Sequence, residues 1–255
     1  MFIIFKVMFG RDVKYKLDNE FGSFTVEELI YEGRLARVLF SGPEHAAQSG
    51  IPLDGNPRML FDYNQRFVEL ALELKPNNIL VLGGGALTLP MALIDRLEKS
   101  FVTTVEINKD LIEVAKSYFN YLPNKRHKII IADADDFVKA NINKYDLIFI
   151  DLYNDFVTPE RFRIIGFAQL INNLLAKHSV LAINCISGLY GDYALPAKQL
   201  YSIYSKAVGP IRIIQADANY YQWLQQNLII IVLKNKQLDE HWFSGYKEVS
   251  SIGVD

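Results

Sequence analysis

The sequence contains little cysteine and histidine, and neither sign of charge is in excess. Cys185 is the only cysteine among 255 residues, which excludes an intramolecular disulfide and a zinc site built from several thiolates. The histidines lack the spacing of metal ligands, so we expect no metal. A net charge of -2, from 27 basic and 29 acidic residues, provides no field that would hold a polyanion. Nucleic acid is therefore not an expected partner.

Long hydrophobic runs are also lacking, since none approaches the roughly 20 apolar residues that span a bilayer. The apolar opening, MFIIFKVMFG, is interrupted by Lys6 and has neither the basic segment nor the cleavage site of a targeting signal. We interpret it as an N-terminal strand. Half of the residues are hydrophobic and 22% are charged, which is typical of a folded globular chain. We expect a cytoplasmic protein with no membrane partner.

The first quarter of the chain predicts a small β-rich segment. Residues 24–40 contain two strand-like runs around Glu32 and Gly33, the spacing of a hairpin with a two-residue turn. The next stretch, 41–57, is rich in glycine, proline and small polar residues and predicts a loop. Asn56 is then expected to cap a helix that starts at Pro57 and ends at Pro76. This divides the chain into an N-terminal segment, 1–55, and a main domain, 56–255.

From residue 78 onward, short apolar runs alternate with amphipathic stretches of helix length. The runs occur at 79–82, 101–106, 128–132, 145–150 and 179–184, a pattern that indicates parallel strands joined by crossover helices. The segments IRIIQA and QNLIIIVLK predict two further strands, separated by too little chain for a crossover helix, which favours antiparallel pairing. The predicted fold is therefore α/β, a Rossmann-like, doubly wound sheet of seven strands preceded by the small β segment.

A glycine triplet and a spaced acid indicate an adenosine site. Gly83, Gly84 and Gly85 follow the first strand of the main domain, where ligands of such sheets bind, although tight turns also use glycine for structural reasons alone. Glu106 ends the next strand, where a carboxylate can accept both ribose hydroxyls. Thr88 stands where the dinucleotide pattern requires a further glycine, which disfavours a nicotinamide-dependent oxidoreductase.

Two more acids follow the third and fourth strands. Asp133 ends the third strand, where it can bind an exocyclic amine or simply begin a solvated helix. Asp151 ends the fourth strand and faces the same crevice. Three converging carboxylates suit a cationic ligand such as the sulfonium of an S-adenosylmethionine-type cofactor. Transfer of a carbon from such a centre depends mainly on positioning and electrostatics.

Several motifs together carry a family resemblance: AAQSG, LFDYNQ, VLGGGA, VEIN, ADADDF and YDLIFIDLYND. With them, the chain resembles the spermidine synthase-like (polyamine aminopropyltransferase) group of the class I S-adenosylmethionine-dependent methyltransferase superfamily, from about Gly33 to Leu233. The resemblance implies a transferase that uses S-adenosylmethionine or its decarboxylated form and no metal. It implies cofactor contacts at Gln48, Gly83, Gly84, Gly85, Glu106, Ile107, Asp133 and Ala134, catalysis by Asp151, and substrate contacts at Tyr63, Gln65, Tyr153, Asn154 and Asp155.

Three departures from the family pattern bear on the reaction. Ala86 replaces the loop acid of GGGDGG, Asn154 replaces the second acid of D-S-S-D-P, and Gln65 replaces the glutamate of Y-x-E. The loop acid is expected to pair with the free amine of decarboxylated S-adenosylmethionine and to repel the carboxylate of the intact form. We therefore expect methyl transfer to a small-molecule acceptor. Aminopropyl transfer to a polyamine and a non-catalytic binding protein remain alternatives.

Three further expectations concern the remaining features. His45, beside AAQSG, is the one histidine worth testing as a proton carrier. The aromatic cluster at 219–227 can stack a planar substrate, although core packing is the simpler explanation. A strand-rich N-terminus offers a sheet edge, so a homodimer is possible.

Overall fold

The N-terminal part of the chain forms an antiparallel sheet. The computed structural model describes residues 8–153, 158–217 and 225–249. The sheet has the strand order β1-β2-β3-β4. Glu32 and Gly33 have φ values of 50° and 80°, the left-handed conformation of a two-residue hairpin turn, so the predicted hairpin is confirmed. Residues 8–10 of the apolar opening lie in β1, and residues 1–7 lie outside the described ranges. The strands are β1 Met8–Asn19, β2 Gly22–Tyr31, β3 Arg34–Ser41 and β4 Ala46–Pro52.

The prediction of a loop over 41–57 is wrong in its middle, where β4 lies. This strand pairs antiparallel with β3, with Phe40 opposite Ala47 and Leu39 opposite Ser49. Its small and polar residues have weak strand preference, but β3 supplies the hydrogen-bonding edge that an isolated segment lacks. Tertiary context has overridden local propensity. As a result, Gln48 lies on a strand and not on a loop.

The predicted helix start at Asn56 is also wrong, because helix α1 spans Asp62–Leu74. The Asn56 side chain accepts a hydrogen bond from the Arg58 backbone N–H at 3.0 Å, and Asp54 accepts one from the Asn56 N–H at 3.0 Å. Such local side-chain bonds compete with helix formation. The end of the helix is close to the prediction, since Lys75 adopts a left-handed conformation before Pro76.

The main sheet has seven strands in the order β10-β11-β9-β8-β5-β6-β7. Its five strands from β9 to β7 are parallel, whereas β11 runs antiparallel to β9 and β10 runs antiparallel to β11. The predicted Rossmann-like sheet and its antiparallel final pair are confirmed. The strands are β5 Asn78–Leu82, β6 Phe101–Glu106, β7 His127–Ile131, β8 Tyr145–Ile150, β9 Leu175–Ser187, β10 Ile211–Gln215 and β11 Gln226–Lys234.

Helices cover both faces of this sheet. Alternate residues of β5 point to opposite sides, so that Ile79 packs in the core with Phe67 of α1, and Leu80 packs in the core that contains α4, α5 and α6. Val38 of the N-terminal sheet belongs to the same core as Phe67. One core thus contains residues from both sides of residue 55 and marks no boundary there. The division into domains at residue 55 stays a prediction. The other helices are α2 Thr88–Arg96, α3 Lys109–Tyr118, α4 Ala134–Ala140, α5 Ile165–Leu174, α6 Leu195–Ala207 and α7 Glu240–Ser244.

The strand order reverses between β5 and β8. The chain moves outward from β5 through β6 to β7, then returns to place β8 on the other side of β5. The two connections diverge there and leave a crevice at the carboxyl ends of the strands. The glycine triplet follows β5 and Asp151 follows β8, so both lie at this crevice. Within the described ranges, none of the helices has the length and apolar character needed to span a membrane.

The contact between α1 and β8 gives a stability prediction. Phe67 is fully buried, and its ring centroid lies 4.5 Å from that of Phe149. We expect Phe67→Ala to lower the free energy of unfolding by about 3–5 kcal/mol, through lost burial and a cavity. Leu72→Ala, on the same helix but 39% exposed, should cost less than about 1 kcal/mol. Urea unfolding of both variants tests this placement, and equal losses would contradict it.

Candidate active site

A cavity of about 670 Å³ opens at the crevice and is lined from both sheets. Gln65, one of the predicted site residues, is absent from its lining among the described residues. Asn154, Asp155 and most of the aromatic cluster at 219–227 lie outside the described ranges. The predicted residues that the structure brings together around the cavity are Gln48, Tyr63, Gly83, Gly84, Gly85, Glu106, Ile107, Asp133, Ala134, Asp151 and Tyr153.

The glycine loop fits tightly against other parts of the protein. Gly83 has a φ of 94°, and a Cβ there would lie 2.1 Å from the carbonyl oxygen of Asp151. Gly85 has a φ of 50°, and a Cβ there would lie 2.6 Å from the Ser49 hydroxyl. The loop therefore needs glycine for contacts within the chain, before any ligand is considered. The same contacts place its backbone in the wall of the cavity.

Glu106 binds this loop through its carboxylate. One oxygen accepts hydrogen bonds from the backbone N–H groups of Gly84 and Gly85, at 2.9 and 2.8 Å, and the other accepts one from Asn108 at 2.9 Å. Burial raises the pKa of Glu106, and these backbone bonds oppose the rise. A ribose hydroxyl at this position would share the carboxylate with the loop.

Asp133 lines the cavity at the start of α4, on the same side as Glu106, because β6 and β7 are neighbouring strands. One carboxylate oxygen caps the helix by accepting a hydrogen bond from the Asp135 N–H at 2.8 Å. The other lies 2.7 Å from Nη2 of Arg161. The interpretation of Asp133 as a helix start is therefore correct in part, since one oxygen serves the helix and the other faces a cavity residue. Sequence analysis missed Arg161, because no spacing connects it with Asp133.

Asp151 is surrounded by hydrogen-bonding side chains. Its Oδ1 accepts a bond from Nδ2 of Asn184 at 3.0 Å, and the Tyr63 hydroxyl also hydrogen-bonds it. Burial raises the pKa of Asp151 to about 6, although these two bonds lower it. Burial and the neighbouring Asp151 raise the pKa of Tyr63, so its hydroxyl stays protonated as a donor. Tyr153 is fixed nearby, since its hydroxyl donates to the Asn184 carbonyl at 2.8 Å and accepts from the Ile186 N–H at 3.1 Å.

Asn184 is a second residue that sequence analysis missed. It is 3% exposed and lines the cavity, and its Oδ1 has no hydrogen-bond partner among the described residues. Buried polar atoms are usually paired, so an unpaired acceptor beside Asp151 suits a ligand donor. The available signal was an asparagine inside VLAINCIS, an otherwise apolar run of β9. The next residue, Cys185, is buried.

Gln65 and Ala86, two positions where the family pattern has an acid, are absent from the cavity lining in the described part of the chain. Gln65 accepts a hydrogen bond from the Met59 N–H at 3.1 Å and donates to Glu69 at 2.9 Å. Residues two apart on a helix point about 200° apart, so Gln65 faces away from the side of Tyr63. Ala86, the position of the family's loop acid, is fully buried in an apolar cluster, and its N–H donates to the Ser49 hydroxyl at 3.0 Å.

His45 does line the cavity, at its N-terminal side. Its ring stacks on Phe40 with centroids 4.0 Å apart, and its Nε2 lies 2.8 Å from Nη2 of Arg11 and 3.2 Å from the buried Glu27 carboxylate. These contacts explain its position without a role in proton transfer. No group of three or more histidine, cysteine or acidic side chains in the described parts of the chain is arranged to hold a metal ion.

Charge in the cavity wall is mainly negative. Among the described residues, Arg161 is the one lysine or arginine in the lining, and its charge is paired with Asp133. Such a balance favours a cationic ligand. The acidic residues in the lining are Glu44, Asp62, Glu106, Asp133, Asp151 and Asp217.

About half of this chain matches a known protein family. The model of the spermine/spermidine synthase domain matches residues 60–187. The chain belongs to this family. The expected resemblance is thus confirmed, and the matched region runs from just before α1 to the end of β9, which includes the glycine loop and all three acids.

The chain has curated relatives of two kinds. A polyamine aminopropyltransferase of Vibrio vulnificus is 30% identical over 134 residues, 51% of this chain and 45% of that protein. An eEF1A lysine and N-terminal methyltransferase of Bos taurus is 31% identical over 165 residues, 59% of this chain and 23% of that protein. The chain thus spans less than half of either relative. A probable spermidine synthase from Corynebacterium glutamicum has the same fold, with a TM-score of 0.76, 19% identity and coverage of 92% and 91% of the two chains.

The raised pKa of Asp151 predicts a pH-dependent stability difference. Folding raises this pKa from an ordinary value near 4 to about 6, so the folded protein binds the proton more tightly and the ionised group costs stability above pH 6. Asp151→Asn should therefore be more stable than wild type at pH 8. Its gain in the free energy of unfolding should be larger at pH 8 than at pH 4 by on the order of 2 kcal/mol. The control is Glu113→Gln, whose carboxylate is exposed. Urea unfolding of wild type and variants across pH measures the difference, and a pH-independent difference for Asp151→Asn would contradict the prediction.

Proposed function

We propose that this chain transfers an alkyl group, most favourably methyl, from an S-adenosylmethionine-type sulfonium donor to an amine nitrogen of a small-molecule acceptor. The observation that carries the proposal is the position of Asp151, which lies beside the glycine loop and is oriented by Asn184 and Tyr63. The relatives' names support an amine acceptor, because a polyamine and a lysine or N-terminus all present amine nitrogen.

The donor is assigned to the side of the cavity that contains Glu106 and Asp133. Glu106 would bind the ribose through lone pairs left by its loop contacts, and Asp133 with Ala134 and Ile107 would hold the base. The glycine loop and Gln48 would face the amino-acid end. The acidic lining fits a sulfonium, whose positive charge makes the attached carbon electrophilic.

The acceptor is assigned to the Asp151 side. The amine lone pair attacks the carbon, the carbon–sulfur bond breaks, and the thioether leaves as a neutral molecule. The nitrogen gives up a proton, which Asp151 accepts, because its raised pKa makes it a stronger base than an exposed aspartate. Asn184 holds Asp151 through Nδ2 and offers its Oδ1, which has no hydrogen-bond partner among the described residues, to a second N–H of the amine. Tyr63, Tyr153, Asn154 and Asp155 remain proposed acceptor contacts.

Position 86 favours the intact donor. The family's loop acid is replaced by an alanine that is fully buried, so nothing at this position repels the carboxylate of S-adenosylmethionine. Aminopropyl transfer is the second candidate, since the family match and the Vibrio vulnificus relative favour it. Binding separates the two. We expect calorimetric titration to show tighter binding of S-adenosylmethionine than of its decarboxylated form, with NAD as a non-binding control.

The titration has two other outcomes. A preference for decarboxylated S-adenosylmethionine would make polyamine synthesis the leading function. Failure of both to bind would contradict the proposal. If a donor binds but no methyl label reaches putrescine, spermidine or lysine amide, transfer to these amines is contradicted and a binding protein is favoured.

A pH profile tests the role of Asp151 once an acceptor amine is found. Wild-type kcat/KM should fall as the pH drops through about 6, because protonated Asp151 no longer accepts a proton. Asp151→Asn should lower kcat by about 100-fold or more and remove this part of the profile. Binding of 5′-methylthioadenosine, which has no sulfonium to interact with Asp151, should change little when measured by calorimetry. Retention of the wild-type profile in Asp151→Asn would exclude Asp151 as the base.

Restoring the family acid tests the interpretation of Ala86. An aspartate at 86 would enter an apolar cluster, so we expect Ala86→Asp to lose on the order of 3 kcal/mol of unfolding free energy and to gain no affinity for decarboxylated S-adenosylmethionine. Ala86→Ser serves as the small, uncharged control. A stable Ala86→Asp protein that binds the decarboxylated donor more tightly would show that position 86 faces the donor.

A further inference from the structure

The pair formed by Arg161 and Asp133 is built into the wall of the cavity. The Arg161 guanidinium lies 2.7 Å from Oδ2 of Asp133, and its Cζ lies 4.7 Å from the centroid of the Phe162 ring. Phe162 is buried and packs edge-on against Phe167 at 5.0 Å. The other oxygen of Asp133 is held by the first turn of α4. Neighbours therefore fix the pair on both sides.

The pair presents hydrogen-bonding groups of opposite kinds side by side. A guanidinium carries five N–H donors, and the ion pair is formed through Nη2, so further donors are available for a ligand. Asp133 supplies acceptor oxygens. Adenine has the complementary pattern, because its exocyclic amine donates beside a ring nitrogen that accepts, N1 on one edge and N7 on the other.

We propose that Arg161 is a specificity residue for the donor's purine base and donates a hydrogen bond to a ring nitrogen while Asp133 accepts from the exocyclic amine. The proposal rests on the proposed function, in which the base lies beside Asp133. It gives Arg161 a role beyond its ion pair with Asp133, since a surface ion pair by itself contributes little to the stability of the fold. The Arg161 side chain is 53% exposed, so its removal should leave the fold intact.

The test uses 5′-methylthioadenosine, which has the adenine and ribose but neither the sulfonium nor the amino-acid end. Its binding therefore does not depend on which group is transferred. We expect Arg161→Ala to raise the Kd about tenfold, the loss of one hydrogen bond from a charged donor. Lys139→Ala is the matched control, because Lys139 is 57% exposed, pairs with Asp135 of the same helix and is absent from the described lining. Its Kd should stay within about twofold of wild type.

Two analogues, the 1-deaza and 7-deaza forms of the same nucleoside, distinguish a direct hydrogen bond from a structural effect. In wild type, the analogue that lacks the accepting nitrogen should bind about tenfold more weakly, and in Arg161→Ala this penalty should disappear. Equal penalties in the two proteins would overturn the inference. Unchanged binding of 5′-methylthioadenosine by Arg161→Ala would also overturn it and leave the proposed function intact. If wild type does not bind 5′-methylthioadenosine at all, the donor site and the proposed function fail together.

Discussion

The close approach of the glycine loop to the end of β8 is the constraint on which the site depends. Gly83 leaves no room for a side chain against the Asp151 carbonyl, and Gly85 leaves none against Ser49. Glu106 then fixes the same loop by accepting two of its N–H groups. One short turn thus connects β4, β5, β6 and β8. Because those contacts set where Asp151 and Glu106 lie, the acids are positioned by the protein before any ligand binds.

Several groups held in this way work against folding. Burial raises the pKa values of Asp151 and Glu106, which means that their ionised forms are less stable in the folded protein than in water. Asn184 keeps a buried oxygen without a partner in the described chain, which also costs free energy. Apolar side chains buried in two cores, one around Phe67 and one that contains α4, α5 and α6, must offset these costs. Groups of this kind persist where a ligand or a reaction makes use of them.

The sequence predicted those parts of the structure that depend on local pattern. Strands such as β5 and β8 are apolar runs ended by glycine or acid, so both the sheet and the positions of Glu106 and Asp151 follow from periodicity. Strand β4 could not be predicted, because its pairing depends on the edge of β3 and not on its own residues. Arg161 was missed for a similar reason, since its contact with Asp133 joins positions 28 residues apart in sequence.

The N-terminal sheet lines the cavity and contacts the glycine loop, and this bears on the missing loop acid. Ser49 of β4 accepts the N–H of Ala86, while the Ala86 side chain packs in one cluster with Phe24 and Leu39 of that sheet. A longer acidic side chain at 86 would have to displace these residues or leave a carboxylate buried among them. The absence of an acid at position 86 is therefore coupled to the close packing of the N-terminal sheet against the glycine loop. Which side chain position 86 can hold therefore depends on how the N-terminal sheet packs against the glycine loop, and not on the loop sequence alone.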